Sequence, residues 1–243
     1  MDTIARYATS SDLALGVAER LMHRLLELQR ASDGPVHLCL TGGGIANRVY
    51  ESFTEMIEAS ELDPDRIVLW WGDERFVPTE SPDRHAGRTL AILARTFAMS
   101  SGQTHPMPAA DGVADNDAAA ATYAKELGDT VFDVCLLGIG EDGHTASLFP
   151  NHPSFDATTS HTVIGVNDSP KPPAARISLT VPTFNRSREV WYLISGTHKA
   201  DAAARARAGD PSIPSGVIRG IDRTLWLLDR DAAAGSPYHE CSL

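Results

Sequence analysis

A chain of 243 residues is long enough to bury a real core, as one large α/β domain or two small ones, and one domain spanning 1–243 is the expectation. Its 32 acidic and 21 basic side chains give a formal charge of -11 spread along the sequence, which repels nucleic acid and anionic membrane and leaves any anionic ligand to a local cluster of cations. No apolar run approaches the roughly 20 residues of a membrane span, and MDTIARYATS lacks the apolar centre of a signal peptide, so a cytoplasmic protein is expected.

In chain order, Leu13, Val17, Leu21, Leu25 and Leu28 recur at helical spacing, with Ser10 or Ser11 as the cap and Gly34 as the stop. Runs rich in β-branched and aromatic residues follow, and each predicts a strand: VHLCL (36–40), IVLWW (67–71), VFDVCLL (131–137), HTVIGV (161–166), RISLTV (176–181), EVWYLI (189–194) and TLWLLD (224–229). Helical patterns lie between many of them, at 45–58, 84–97, 115–127 and 197–208. Such alternation predicts an α/β fold, a mainly parallel doubly wound sheet with helices on both faces. Cys39 and Cys135 fall inside strand runs, Cys241 in the tail, and no C-x-x-C pair exists, so buried reduced thiols are expected. Trp70 and Trp71 read as core; SPKPPAA (169–175) reads as a loop, and AAAGSPYHECSL as a fraying tail.

In an open parallel sheet, ligands bind beyond the carboxyl ends of the strands. TGGG (41–44), GDERFVP (72–78), GIGEDGHTASLFP (138–150) and SGTHK (195–199) each follow a predicted strand, so these polar, glycine-bearing stretches should converge on one edge. TGGG can aim backbone N–H groups and a helix dipole at an anion, or can be a tight strand-to-helix turn. Asp73, Glu74 and Arg75 form a charge triplet that admits either a ligand site or an internal salt bridge. Lys199, at a helix start, is a phosphate contact or an exposed lysine, and Arg176, at the start of a strand, says little alone.

Gly138, Gly140 and Gly143 match G-x-G-x-x-G, the spacing of a dinucleotide-binding loop, but Pro150 interrupts any following helix and Glu141 and Asp142 would repel a pyrophosphate. The glycines read better as supports for the residues beside them. His144, at what looks like the start of a short helix, can supply a neutral base near pH 7, and Asp142 can orient it. His105, His152 and His161 lie in unrelated loops, so no metal site is expected, and no G-x-S-x-G elbow or catalytic cysteine pattern is present.

Together LTGGG, WWGDERFVP, LLGIGEDGHTASLFP, RISLTVP and ISGTHKA, in this order, resemble the 6-phosphogluconolactonase family over most of the chain. GEDGHTASLFP is the most specific piece: the related glucosamine-6-phosphate isomerases/deaminases share the glycines, acid and histidine but continue toward an FNEP-like sequence. The resemblance implies hydrolysis of the δ-lactone of 6-phosphogluconolactone to 6-phosphogluconate, with His144 as the base that activates water and Asp142 near it. It also implies that Thr41, Gly43, Gly44, Asp73, Arg75, Arg176 and Lys199 line a sugar-phosphate pocket, and that no cofactor or metal is required. A monomer acting on a small-molecule lactone is expected, with no nucleic-acid or membrane partner. Two alternatives are an isomerase/deaminase and a non-catalytic sugar-phosphate sensor, although the chain has no basic stretch for the DNA-binding segment sensors usually carry. Many relatives have SGGSTP where this chain has TGGGIA, and an asparagine where this chain has His85, departures that bear on substrate positioning.

Overall fold

The computed structural model describes residues 2–97 and 100–234. In chain order the elements are β1 (Asp2–Tyr7), α1 (Ser10–Ala31), β2 (Val36–Leu40), α2 (Gly44–Ile57), β3 (Ile67–Trp71), β4 (Asp73–Arg75), α3 (His85–Leu93), β5 (Thr104–His105), α4 (Asn116–Leu127), β6 (Val134–Gly138), β7 (Val163–Val166), β8 (Arg176–Leu179), α5 (Val181–Phe184), β9 (Glu189–Ile194), α6 (Ala200–Arg207), α7 (Pro214–Val217) and β10 (Arg223–Asp229).

Seven strands lie side by side, all parallel, in the order β1-β10-β9-β6-β2-β3-β5. Side chains alternate between the two faces, as the twofold period of a strand demands. Leu38, Leu40, Leu69, Trp71 and Leu136 pack under α1, α2 and α3. Cys39, Trp70, Cys135, Leu137 and Tyr192 face the other way, toward α4 and α6. Covered on both faces, β3 and β9 are buried throughout, which is why they read as unbroken apolar runs. Cys39 and Cys135 stand in register on β2 and β6 as buried free thiols, and Cys241 lies outside the described residues, as does the tail beyond residue 234.

Two sequence expectations are corrected, and one strand is added. The runs at 161–166 and 176–181 do not join the main sheet: β7 and β8 pair antiparallel with each other and β8 with β4, as a separate three-stranded sheet. β8 stops at Leu179, ahead of the short α5, whose first turn accommodates Pro182 because a proline's missing N–H has no intrahelical partner there. The polar DTIARY forms the added edge strand β1, whose mostly exposed side chains carry no alternating apolar signal. Thr9 rather than Ser10 or Ser11 caps α1, its hydroxyl accepting from the Asp12 N–H at 3.1 Å.

The chain runs outward from β2 through β3 to β5, then returns to place β6 on the opposite side of β2. This reversal opens a crevice between the carboxyl ends of β2 and β6, the place where open parallel sheets bind ligands. TGGG leaves β2 and GIGEDGH leaves β6, so both enter that crevice.

Candidate active site

A cavity of about 240 Å³ sits at this crevice. Thr41 and Gly43 reach it from the end of β2, Asp73 and Arg75 from β4, and His144 from the loop after β6. Arg176, from the start of β8, and Lys199, from the 3-10 turn ahead of α6, complete it, so seven of the nine sequence-predicted residues line one space. Gly44 lines an adjoining recess of about 330 Å³ that shares Thr41, Gly43 and Lys199 with the cavity. Asp142 stands behind His144.

The glycine question resolves at Gly140. A Cβ there would overlap the His144 imidazole and crowd the Asp142 carboxylate, so Gly140 allows the ring to lie against the backbone. The glycines therefore build a seat for the acid and the histidine. No helix follows: residues 141–150 form turns around an isolated antiparallel bridge between Thr145 and Leu148, Ala146 takes a positive φ of 50°, and the Gly140 N–H donates to the His144 carbonyl at 2.8 Å, which corrects the expected helix start at His144.

Asp142 Oδ1 lies 2.5 Å from His144 Nδ1 and also accepts the His144 backbone N–H at 3.2 Å. An ionised carboxylate only accepts, so Nδ1 carries the proton and Nε2 keeps its lone pair. Burial pushes the His144 pKa below its ordinary value, and the Asp142 hydrogen bond and charge oppose that only in part. Burial alone would raise the Asp142 pKa, but its hydrogen bonds to His144 and the charges of His144 and Lys171 leave it lowered. The pair is thus set as neutral imidazole beside carboxylate. Phe149 backs the imidazole, with ring centroids 4.9 Å apart, and the Arg176 guanidinium lies 5.6 Å from the centroid of Phe149.

Asp73 is buried and accepts from the Ser147 hydroxyl at 2.7 Å, with His85 Nδ1 4.0 Å from its other oxygen. The charge triplet forms no internal salt bridge. Glu74, fully buried, accepts the backbone N–H groups of Arg75, His85 and Ala86 at 2.7–2.8 Å and so fixes the start of α3. Arg75 donates from NH1 to the Asp83 carbonyl at 2.9 Å. His85 is the first residue of α3, and its ring lies where a Cβ on Gly42 would be, so the TGGG turn and His85 fit together.

The cations differ in how far the protein already employs them. Arg176 gives Nε to the Pro173 carbonyl and NH2 to the Lys171 and Pro172 carbonyls at 2.9–3.1 Å, so it chiefly holds the Pro-rich loop. The Lys199 ammonium has no hydrogen bond or ion pair with any described residue, and burial, followed by the charge of Lys171, lowers its pKa. Unpaired ammonium in a partly dry cavity is a strong demand for an anion. At the start of α2 the N-cap is Gly43 and no side chain caps the helix, which leaves first-turn N–H groups for a ligand.

Sequence reasoning missed Lys171, Glu141 and Ser147. Lys171 and Glu141 line the cavity, and Ser147 supports Asp73 from below. The available signal for Lys171 was its place between Ser169 and two prolines, a stiff setting that reads as a mere connection when its partner strands are misassigned. No group of three or more His, Cys, Asp or Glu side chains among the described residues is placed to hold a metal ion.

Residues 8–226 match the family model described as glucosamine-6-phosphate isomerases/6-phosphogluconolactonase. The chain is 42% identical over 239 residues to the 6-phosphogluconolactonase of Streptomyces coelicolor, covering 93% of this chain and 91% of that protein. It is 43% identical over 241 residues to that of Mycobacterium tuberculosis, covering 93% and 96%. The crystal structure of 6-phosphogluconolactonase from Thermotoga maritima superimposes with a TM-score of 0.82 at 25% identity, covering 95% of this chain and all of that one. With its sequence, its crevice and its histidine loop in agreement, the chain belongs to the glucosamine-6-phosphate isomerase/6-phosphogluconolactonase family.

Proposed function

We propose that the chain hydrolyses the δ-lactone of 6-phosphogluconolactone to 6-phosphogluconate. The observation that carries this reading is the Asp142–His144 pair, 2.5 Å apart, at the wall of a cavity that also holds the unpartnered Lys199. His144 Nε2 takes a proton from water as its oxygen attacks the lactone carbonyl carbon, and Asp142 holds the tautomer and steadies the imidazolium. The tetrahedral intermediate then collapses, the bond from carbon to the ring oxygen breaks, and that oxygen takes the proton from His144. Lys199 and the open N–H groups at Gly43 and Gly44 receive the phosphate, with Arg75 reaching in from β4; Thr41 and Asp73 orient the sugar. A δ-lactone is a reactive ester, so base and positioning suffice and neither metal nor cofactor is invoked. No helix among the described residues is long and apolar enough to cross a membrane, and the reading is of a cytoplasmic monomer acting on a small soluble substrate.

The test is hydrolysis of 6-phosphogluconolactone by purified protein, with spontaneous opening subtracted, beside ammonia release from glucosamine 6-phosphate. Lactone opening without ammonia supports the reading. Ammonia at a comparable rate would replace it with the isomerase/deaminase chemistry.

A further inference from the structure

Lys171 is a cation that the histidine loop and the phosphate recess do not account for. It lies in the loop between β7 and β8, lines the same cavity as His144 and Lys199, and its ammonium has no hydrogen bond or ion pair with any described residue. Its backbone, in contrast, is tied down. The Lys171 carbonyl accepts from Arg176 NH2 at 2.9 Å and from the Ser169 hydroxyl at 2.9 Å, and Pro172 and Pro173 follow directly. The buried Arg176 thus spends its guanidinium on holding this loop at the cavity wall. The loop backbone is thus fixed at the cavity wall, with the exposed Lys171 side chain carried on it and its head group unpaired.

Its position separates it from Lys199. The Lys171 charge acts on His144, on Asp142 and on Lys199, whereas the Lys199 charge environment is Lys171, Glu141 and Asp229. Both lysines line the cavity that holds His144, but only Lys199 also lines the adjoining phosphate recess, so Lys171 is the cation that serves the His144 cavity alone. In lactone opening the water oxygen bonds to the carbonyl carbon, its proton goes to His144, and the carbonyl π electrons move onto the carbonyl oxygen. That oxygen is bonded to the attacked carbon, so the negative charge develops beside the imidazole. The N–H groups flanking the base are already engaged: Gly140, Gly143 and Thr145 donate to the carbonyls of His144, Gly140 and Leu148.

We propose that Lys171 is a further catalytic residue whose ammonium binds the carbonyl oxygen of the lactone and stabilises the oxyanion formed when His144 activates water. This rests on the lactonase reading above. A cation already at the cavity wall can meet the charge that develops on the carbonyl oxygen, the role of an oxyanion-stabilising group. Arg176 is then a positioning residue that acts through the Lys171 carbonyl.

The experiment compares Lys171→Met and Lys171→Arg with the unmodified protein on 6-phosphogluconolactone and on unphosphorylated gluconolactone. Lys171 is exposed and its loop is anchored by backbone atoms, so both variants should fold. The expected result for Lys171→Met is a fall in kcat of about 10²- to 10³-fold, by the same factor for both lactones, with partial recovery in Lys171→Arg. The charged and titratable groups that share the cavity with His144 are Asp73, Arg75, His85, Glu141, Lys171, Arg176 and Lys199, with Asp142 bonded to its Nδ1. Removing Lys171 removes a cation that depresses the imidazole pKa, so the acid limb of kcat/KM must move to higher pH in Lys171→Met. A loss confined to the phosphorylated lactone would assign Lys171 to the phosphate and overturn the proposal, as would a rise in KM at unchanged kcat or an unchanged rate. If the unmodified protein opened neither lactone, the functional reading would fall. NMR titration of the His144 imidazole would still judge Lys171, because an unmoved pKa in Lys171→Met would remove it from the base's surroundings.

Discussion

The Ser147 hydroxyl donates to Asp73 Oδ2 at 2.7 Å, joining two residues 74 positions apart and tying the histidine loop to β4. Both are buried. Through this bond the loop that carries Asp142 and His144 keeps its position relative to Asp73 and Arg75 on the other wall. Ser147→Ala should leave the Asp73 carboxylate short of a donor, at a cost of about 1–3 kcal/mol, read as a fall in Tm of roughly 2–4 °C per kcal/mol for a chain of this size. Lactone turnover should fall as well, because the two walls lose their register. An unchanged Tm with unchanged turnover would show that the bond supports neither.

The acid limb of the pH profile follows from His144. Its pKa is lowered by burial, and a general base works only when neutral. Activity should therefore be flat above the folded pKa and fall as pH drops through a value below about 6.5. Asp142 raises that pKa through its hydrogen bond and charge, so Asp142→Asn should move the limb to still lower pH while reducing the plateau. The pH dependence of kcat/KM for both proteins decides this. A limb that moved upward in Asp142→Asn would contradict the assigned contact.

Lys199 and Arg75 are expected to serve the phosphate, in a protein whose net charge of -11 otherwise repels it. Hydrogen bonds to charged groups contribute about 1.5–3 kcal/mol each, so Lys199→Ala or Arg75→Ala should lower kcat/KM for the phosphorylated lactone by roughly 10- to 150-fold. Gluconolactone, which lacks the phosphate, should hardly change. Equal losses on both lactones in a folded variant would move that residue from the phosphate to the reacting carbonyl or to the framework.

Arg176 should behave differently, because its guanidinium is bonded to the carbonyls of Lys171, Pro172 and Pro173. Arg176→Ala should impair both lactones together and lower Tm, since it leaves those carbonyls without their donor and opens space beside Phe149. A loss restricted to the phosphorylated lactone at unchanged Tm would return Arg176 to direct phosphate contact.

These contrasts mark what a linear sequence discloses. The runs at 36–40, 67–71, 189–194 and 224–229 coincide with β2, β3, β9 and all but the first residue of β10, because strands buried on both faces have no polar alternation to blur them. Seven of the nine candidate residues meet in one cavity because a parallel sheet sends the loops after its strands to one edge. β1 carries no strand signal because an edge strand is mostly solvent-exposed, and the separate pairing of β7 and β8 is not legible because pairing partners are not written into a strand's own composition. The resemblance implies that Arg176 lines the sugar-phosphate pocket, and it does line the cavity, while its Nε and NH2 bonds to backbone carbonyls three to five positions earlier are a loop closure that side-chain identity does not reveal. The seat that Gly140 makes for His144 was legible only as an excess of glycine beside an acid and a histidine.

The central claim is that His144, held by Asp142, activates water for lactone opening. The most direct measurement is kcat/KM of purified His144→Ala on 6-phosphogluconolactone, with spontaneous hydrolysis subtracted and folding verified by circular dichroism and Tm. The imidazole is 19% exposed and sits at a cavity wall, so its removal should leave the fold intact. Loss of the base should lower kcat/KM by about 10²- to 10⁴-fold, the usual contribution of a general base. Turnover within a few fold of the unmodified protein, in a folded His144→Ala, would contradict it.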